Sequence, residues 1–542
     1  MNIAKVRLRG EVARMAALLA AALLPALPVS FAVDWPMWGR TNERNMVSPE
    51  RGLPESFDPG QPKANSDDVD LATTKNVKWV ARLGSQTYGN VVVAQGRVLI
   101  GTNNDPPRDP RFPGDRSLLL CLDEQTGALQ WQFTVPKLKE GRANDWESLG
   151  ILSSPVVSGK SVYLVTSRGE VVCLDLNGMA DGNDGPFQDE AHYVVQDLAL
   201  DRGQRTERPA PPIPPGSHDA DIVWAYNLMD ELGVFPRNAA NSSPLILDGR
   251  VYACTGNGTD WTGVNVPSPF SPSFIALDGR TGALAGEDDA GIGPRVFLGQ
   301  WSSVAAATVN GRPLLFGGGG DGVLYAFDAT PAAEGDRRLL KKVWWFDCNP
   351  PEYKAKDGKP IPYGDANGPS EINATPVFYQ NRVYVAIGQE PEHGEGVGRL
   401  VCVDATKTGD LTRDGLVWDF RGIHRSLSTV SIDPATGLLF TADFSGFVYC
   451  LDADSGKVCW THDLKSHVWG STLVADGKVY LGDEDGDVFV FAASREKKVL
   501  GQANLNGPVY SSPVAANGTL YVASAAQLYA IHAGATQPAA GK

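Results

Sequence analysis

One phrase recurs along this chain and restricts what it can fold into. Leu120-Cys121-Leu122-Asp123-Glu124-Gln125-Thr126-Gly127-Ala128-Leu129-Gln130-Trp131 returns as Tyr449-Cys450-Leu451-Asp452-Ala453-Asp454-Ser455-Gly456-Lys457-Val458-Cys459-Trp460, with weaker copies at 275–282, 325–328 and 400–404. Ahead of each copy an alternating apolar segment breaks at a Gly turn, as at Asp248-Gly249, Asn310-Gly311, Asp476-Gly477 and Asn517-Gly518. Self-similarity at a period of about 40 to 60 residues marks a radial or stacked repeat.

Each unit reads as four short strands. The first opens on Ser-Ser-Pro or a variant and turns at Asp/Asn-Gly, whose positive φ suits a tight hairpin. A second strand rich in Val and Tyr follows, and an acidic-Gly turn such as Asp485-Gly486 leads into a third strand that ends at Leu-Asp. That Asp opens a Thr-Gly or Ser-Gly turn into a fourth strand ending in Trp. Four antiparallel strands without helical periodicity make a propeller blade. Small-residue openings near Tyr88, Leu152, Asn241, Trp301, Asn373, Leu427, Trp469 and Tyr510 count eight blades. The last unit stops at Tyr529-Ala530-Ile531-His532, and an orphan strand at 77–83, carrying Trp79, precedes the first. The expected fold is an all-β, eight-bladed β-propeller over residues 77–533, its ring closed by the N-terminal strand in the last blade. A leader at 1–32, an N-terminal extension at 33–76 and a disordered tail at 534–542 complete the chain.

The pattern Ala-x-Asp-x-x-Thr-Gly-x-x-x-Trp, with Cys121 and Cys450 in the Ala place, resembles the tryptophan-docking repeat of the quinoprotein, or PQQ-repeat, propellers. The resemblance covers roughly residues 76–533 and implies that each Trp packs between neighbouring blades. Trp79, Trp131, Trp224, Trp344 or Trp345, Trp418 and Trp460 keep the slot, which is lost around Gly286 and Val499.

The first 32 residues read as a secretory signal: basic Lys5, Arg7, Arg9 and Arg14, an apolar run, and Ser30-Phe31-Ala32 as a cleavage site. The apolar run, broken by Pro25 and Pro28, is too short for a membrane span. No Cys stands directly after the cleavage site, the first being Cys121, a departure from the BamB-type lipoproteins of the same fold, so no membrane anchor is expected. The protein is read as exported, to the periplasm or the extracellular space. Its net charge of −15 makes it a poor partner for nucleic acid or anionic lipid. Cys121, Cys173, Cys402 and Cys450 occupy one repeat slot in four blades, too far apart to pair. Pairing around Ser455-Gly456 is expected to put Cys450 and Cys459 on opposite faces, so most cysteines are read as buried small hydrophobes.

The resemblance also implies a quinone site, which can be checked residue by residue. Thr255-Gly256-Asn257-Gly258-Thr259-Asp260-Trp261 is similar to the Gly-Thr-Gly-Asn-x-x-x-Trp segment of the PQQ alcohol dehydrogenases, which puts Asn257 in the place of a calcium ligand. That family's base is an Asp in a His-Asp-x-Trp-Asp segment. Here the counterpart is Leu298-Gly299-Gln300-Trp301-Ser302, and Gly299 cannot take a proton from an alcohol. The bend that carries a calcium-ligating Glu is shortened to Ser167-Arg168-Gly169-Glu170-Val171, where Glu170 is expected to begin a strand. The family's adjacent Cys-Cys pair does not occur. A second candidate cation site opens the longest insertion, 177–219, where Asp181 and Asp184 sit among Asn and Gly. Such oxygen ligands suit calcium, although the spacing is not that of an EF-hand. PQQ and calcium are thus the cofactors the resemblance implies, and neither is assigned.

What remains is the ring of first-strand openings. Innermost strand ends converge on a propeller axis, so Trp301, Trp469, Asn373 and Asn241, with Glu371 and Arg425 just ahead of that position, are expected to rim a central funnel. Aromatic faces with a few polar groups suit a small molecule or peptide. The chain is read as a binding or assembly scaffold without quinone-dependent catalysis, whose partner would be a protein, peptide or small molecule at the funnel. The alternative is a divergent PQQ-dependent dehydrogenase.

Overall fold

The computed structural model describes residues 33–199, 210–393 and 397–535. The leader at 1–32 and the tail beyond 535 lie outside the described residues. Eight sheets, each built on four antiparallel strands, follow one another along the chain, and three of them are extended by one or two further strands. Each first strand starts four residues after the opening position read from the sequence, from Val92–Ala94 in the first blade to Val514–Ala516 in the eighth. The eighth blade takes its fourth strand from Val77–Arg82, antiparallel to Gln527–Ile531.

The Ser-Ser-Pro openings have a physical purpose. In six of the eight blades the residue two places after the opening position bonds the same residue of the next blade. Backbone N–H groups of Ser154, Ser243, Thr375, Thr429 and Ser471 donate to hydroxyls of Ser243, Ser303, Thr429, Ser471 and Ser512. Ser512 N–H then donates to Asn90 Oδ1 of the first blade. A small hydroxyl residue at this place satisfies inner-strand donors that no ladder reaches.

The tryptophan slot works between blades at the outer edge. The indole N–H groups of Trp79, Trp131, Trp224, Trp418 and Trp460 donate to the carbonyls of Glu124, Leu176, Gly279, Ala453 and Ser494, each in the turn of the following blade. A Cβ on Gly127 would meet the Trp79 indole at 2.6 Å, so the turn glycine is what admits the ring. Each slot pairs with a small residue on the third strand, and the register slips by one immediately afterwards, for example Cys121 opposite Trp131 and Cys402 opposite Trp418. The same register selects Trp344, opposite Ala326 and fully buried, rather than Trp345.

That bulge corrects one expectation. The register slip between Cys450 and Leu451 returns Cys459 to the side of Cys450, where the Cys450 thiol donates to Ser494 O at 3.7 Å. All seven cysteines are free, and burial pushes the Cys121 and Cys402 thiols up to about 12. The two blades without the Trp are covered by other segments. Gly286 lies under Pro331, and Gly501 lies so close to the Glu55 carbonyl that a Cβ would meet it at 2.0 Å.

The N-terminal segment 33–50 carries no repeat, yet it touches the same position of every blade in ring order. Trp35 exchanges backbone hydrogen bonds with Val93 of the first blade, and Pro36 O accepts from Val157 N–H of the second. Asn42 reaches Ile246 and Ala306 in the third and fourth, and Glu43 O accepts from Phe378 N–H in the fifth. The Asn45 amide bonds both ways with Ile432, Met46 O accepts from Val474 N–H, and Ser48 Oγ donates to Ala515 O. Inside the circuit, fully buried Arg44 donates to the carbonyls of Trp38, Ser243, Pro244 and Val304. Gly39, at φ +69°, lets the backbone pass so near Arg44 that a Cβ would meet its Cα at 2.6 Å.

Candidate functional site

The eight opening positions face one another across the axis and divide it. All eight line a cavity of 170 Å³ on the side of the N-terminal circuit, where Trp38 also lines it and donates its indole N–H to Thr375 Oγ1. Seven of the eight also line a larger funnel of 320 Å³ on the other side. The expected ring residues Trp301, Trp469, Asn373 and Asn241 are therefore brought together.

The two ring tryptophans are held differently. Trp469 is packed against Tyr88, Tyr510 and Phe444, with centroids 5.6, 5.9 and 5.0 Å away, and its indole lies 3.3 Å from Glu484 Oε2. Trp301 donates to Arg237 O at 3.1 Å and rests against Gly299, where a Cβ would come within 2.4 Å of the ring. Gly299, the position where the resemblance implied a base, thus serves as the seat of an indole.

Glu371 and Arg425 stand behind the ring and line neither cavity. Arg425 sits over the Phe444 ring at 4.6 Å. Glu371, with no exposure, accepts hydrogen bonds from Tyr363 OH at 2.9 Å, Asn373 Nδ2 at 3.3 Å and Glu390 N–H at 2.9 Å. Burial raises its carboxyl to about 7. The Asn373 amide nitrogen is also committed to Gly388 O, while Asn373 Oδ1, Asn241 Oδ1 and Glu371 Oε2 are buried without a partner.

The raised carboxyl makes a prediction. Its folded value of about 7 lies above the ordinary 4.5, so the folded protein keeps a proton that the unfolded chain releases. The stability that Glu371 contributes is complete below pH 4.5 and is lost as pH rises through 7. Glu371→Gln should remove this dependence, gaining about 3 kcal/mol on the parent between pH 5 and pH 8. Urea unfolding of both proteins at the two pH values checks it, and parallel behaviour would refute it.

The funnel wall contains residues that sequence reasoning missed. Trp146 lines it, with the Arg142 guanidinium 3.8 Å from its ring centroid, and Arg142 also pairs with Glu392 at 3.7 Å. Glu390 lines the wall beside Glu392 and binds His393 Nδ1 at 2.7 Å, which raises that imidazole. Tyr363, from the insertion at 347–370, stacks on Phe297 at 5.9 Å and delivers its hydroxyl to Glu371. These residues sit in non-repeating segments, so no internal comparison marks them. Only Tyr363 lies in a stretch, 347–370, that exceeds what a blade needs, and that length was its one available signal.

The donor set implied for calcium and a quinone does not fit. Asn257 Oδ1 accepts from Phe235 N–H and its Nδ2 donates to Ser268 O, both at 2.9 Å, so the side chain clamps a turn. Glu170 begins a strand, as expected, and its carboxylate is held by Arg168, Tyr193 and Thr166. Asp181 and Asp184 are exposed. Asp181 accepts from Asn177 Nδ2, and Asp184 donates its backbone N–H to Asp221. Among the described residues no three His, Cys, Asp or Glu side chains gather to hold a metal ion.

The family model described as outer membrane protein assembly factor BamB matches residues 69–183, 410–499 and 445–536. No curated protein sequence matches the chain. BamB from Moraxella catarrhalis superposes with a TM-score of 0.50 at 15% identity, covering 84% of this chain and 99% of that one. A europium-containing methanol dehydrogenase gives 0.56 at 11% identity, covering 92% and 98%. The quinohemoprotein alcohol dehydrogenase ADHIIG from Pseudomonas putida HK5 gives 0.56 at 13% identity, covering 93% and 82%. At these identities the likeness speaks for the fold. The eight blades and the docking tryptophans make this chain an eight-bladed β-propeller of the quinoprotein-like fold, with the family match carried by residues 69–183 and 410–536.

Proposed function

We propose that the protein is an exported binding or assembly propeller without quinone-dependent catalysis, and that its funnel takes a positively charged ligand rich in hydrogen-bond donors, such as a basic peptide segment. The observation that carries this reading is the chemistry of the ring and wall. The indole of Trp301 offers apolar and cation–π contact, Glu390 and Glu392 place carboxylates on the wall, and the acceptor oxygens of Asn241 and Asn373 on the ring lack donors. An unsatisfied buried acceptor costs about 1 to 3 kcal/mol, which a donor at the ring relieves. A multiply anionic quinone meets the wrong sign of charge here. Export rests on the leader sequence, and among the described residues no helix is long and apolar enough to cross a membrane.

Titration of the exported protein with a lysine-rich peptide, followed by tryptophan fluorescence, should give saturable binding. Trp301→Ala should weaken it by roughly 1 to 4 kcal/mol, the scale of an aromatic anchor. Trp469→Ala should instead lower the melting temperature, because that ring is packed among Tyr88, Tyr510 and Phe444. Alcohol-dependent dye reduction after addition of PQQ and calcium would overturn the reading in favour of a divergent dehydrogenase.

A further inference from the structure

The N-terminal circuit closes on itself through one buried carboxylate. Glu50 is 1% exposed. Its Oε1 accepts from Val33 N at 2.9 Å and Asn517 N–H at 3.0 Å, and its Oε2 accepts from Gly518 N–H at 2.9 Å. The segment that begins at Val33 has by then passed all eight blades, so its first and last residues meet at the eighth. Among the described residues no Lys, Arg or His side chain pairs with Glu50, and a buried carboxylate without a cation is costly.

Val33 is the residue that follows the expected cleavage site Ser30-Phe31-Ala32. We infer that removal of the leader between Ala32 and Val33 supplies the missing cation, the new α-ammonium of Val33 pairing with buried Glu50 and locking the circuit around the ring. Hydrolysis of the Ala32–Val33 peptide bond by a leader peptidase consumes one water. Ala32 leaves as a carboxylate, and the Val33 nitrogen, formerly a neutral amide, takes up a proton at neutral pH. The nitrogen already sits at hydrogen-bond distance, so the bond changes from a neutral N–H donor to a charge-assisted pair without any other contact moving. Asp34 steadies the same end, accepting from Asn517 Nδ2 at 2.9 Å and Gln95 N–H at 3.0 Å. The lock would therefore be complete only after export, which ties final stability to processing.

The test uses the exported full-length mature protein. Intact mass and N-terminal sequencing should show a chain beginning at Val33, and any other start overturns the inference. Selective acetylation of the α-amine keeps an N–H donor and removes only the charge. It should lower the melting temperature by about 2 to 5 °C, on the scale of a broken buried pair in a chain of this size. In Glu50→Gln the free and acetylated forms should melt together. If acetylation leaves the melting temperature of the parent protein unchanged, no charge pair is present and the inference fails, whether or not the Glu50→Gln variant folds.

Discussion

Deletion of residues 33–84 is expected to abolish the cooperative thermal transition. Two independent losses combine. The eighth blade loses its fourth strand, whose ladder runs from Val77 opposite Ile531 to Arg82 opposite Gln527. Trp79 goes with it, leaving the Glu124 carbonyl of the first blade without its indole donor and Gly127 without the ring it faces. The circuit at 33–50 also disappears, uncovering the first strand of every blade, while Leu53 and Phe57 vanish from the core shared with Val514, Leu520 and Tyr521. Circular dichroism and calorimetry of the truncated protein check the expectation. Deletion of 33–50 alone should give a lower but still cooperative transition, because the eighth blade keeps its strand. A protein lacking 33–84 that melts at the parent temperature would show that neither element holds the ring.

Arg44→Met should cost about 3 to 5 kcal/mol. Arg44 is fully buried, has no carboxylate partner among the described residues, and burial pushes its guanidinium down to about 9. Two effects oppose each other on substitution. Removing a desolvated charge is favourable by several kcal/mol. Against this, the carbonyls of Trp38, Ser243, Pro244 and Val304 lose a charged donor together, each such bond being worth about 1.5 to 3 kcal/mol. Four buried acceptors outweigh one desolvated charge, so the variant should be destabilised. Arg44→Lys, which can serve only some of the four carbonyls, should fall between parent and Met. Denaturant unfolding of the three proteins checks the order, and a Met variant as stable as the parent would show that water replaces the guanidinium at no cost.

Much of the fold was legible because its determinants are local and repeated. The eight openings, the Gly turns and the small residue facing each Trp recur at fixed offsets, and each offset reports a strand, a hairpin or a docking contact that a single blade makes with the next. Alignment of the repeats also placed Trp301, Trp469, Asn373 and Asn241 on the axis, because a repeat position that faces the axis in one blade faces it in all. Where a single residue of slip matters, the sequence misled in one case and left the choice open in another. A bulge after the Trp partner brought Cys459 back to Cys450, and the same register chose Trp344 over Trp345.

Only the tertiary structure decided the rest, since the groups involved lie far apart in the chain and belong to no repeat. Asn257 matches a ligand motif in its letters, yet its amide is spent on Phe235 and Ser268. Glu371 owes its raised carboxyl to burial, which the hydrogen bonds from Tyr363 and Asn373 offset only in part. The funnel wall draws Trp146 from the connection between the first two blades and Glu390 and Glu392 from one loop of the fifth. The circuit at 33–50 reads as an irregular extension, because its partners run from Val93 to Ala515 and no short-range pattern records them. The repeat therefore determined the ring by itself, through contacts each blade makes with its neighbour. What fills, covers and charges the ring was settled by contacts across hundreds of residues, which only folding brings together.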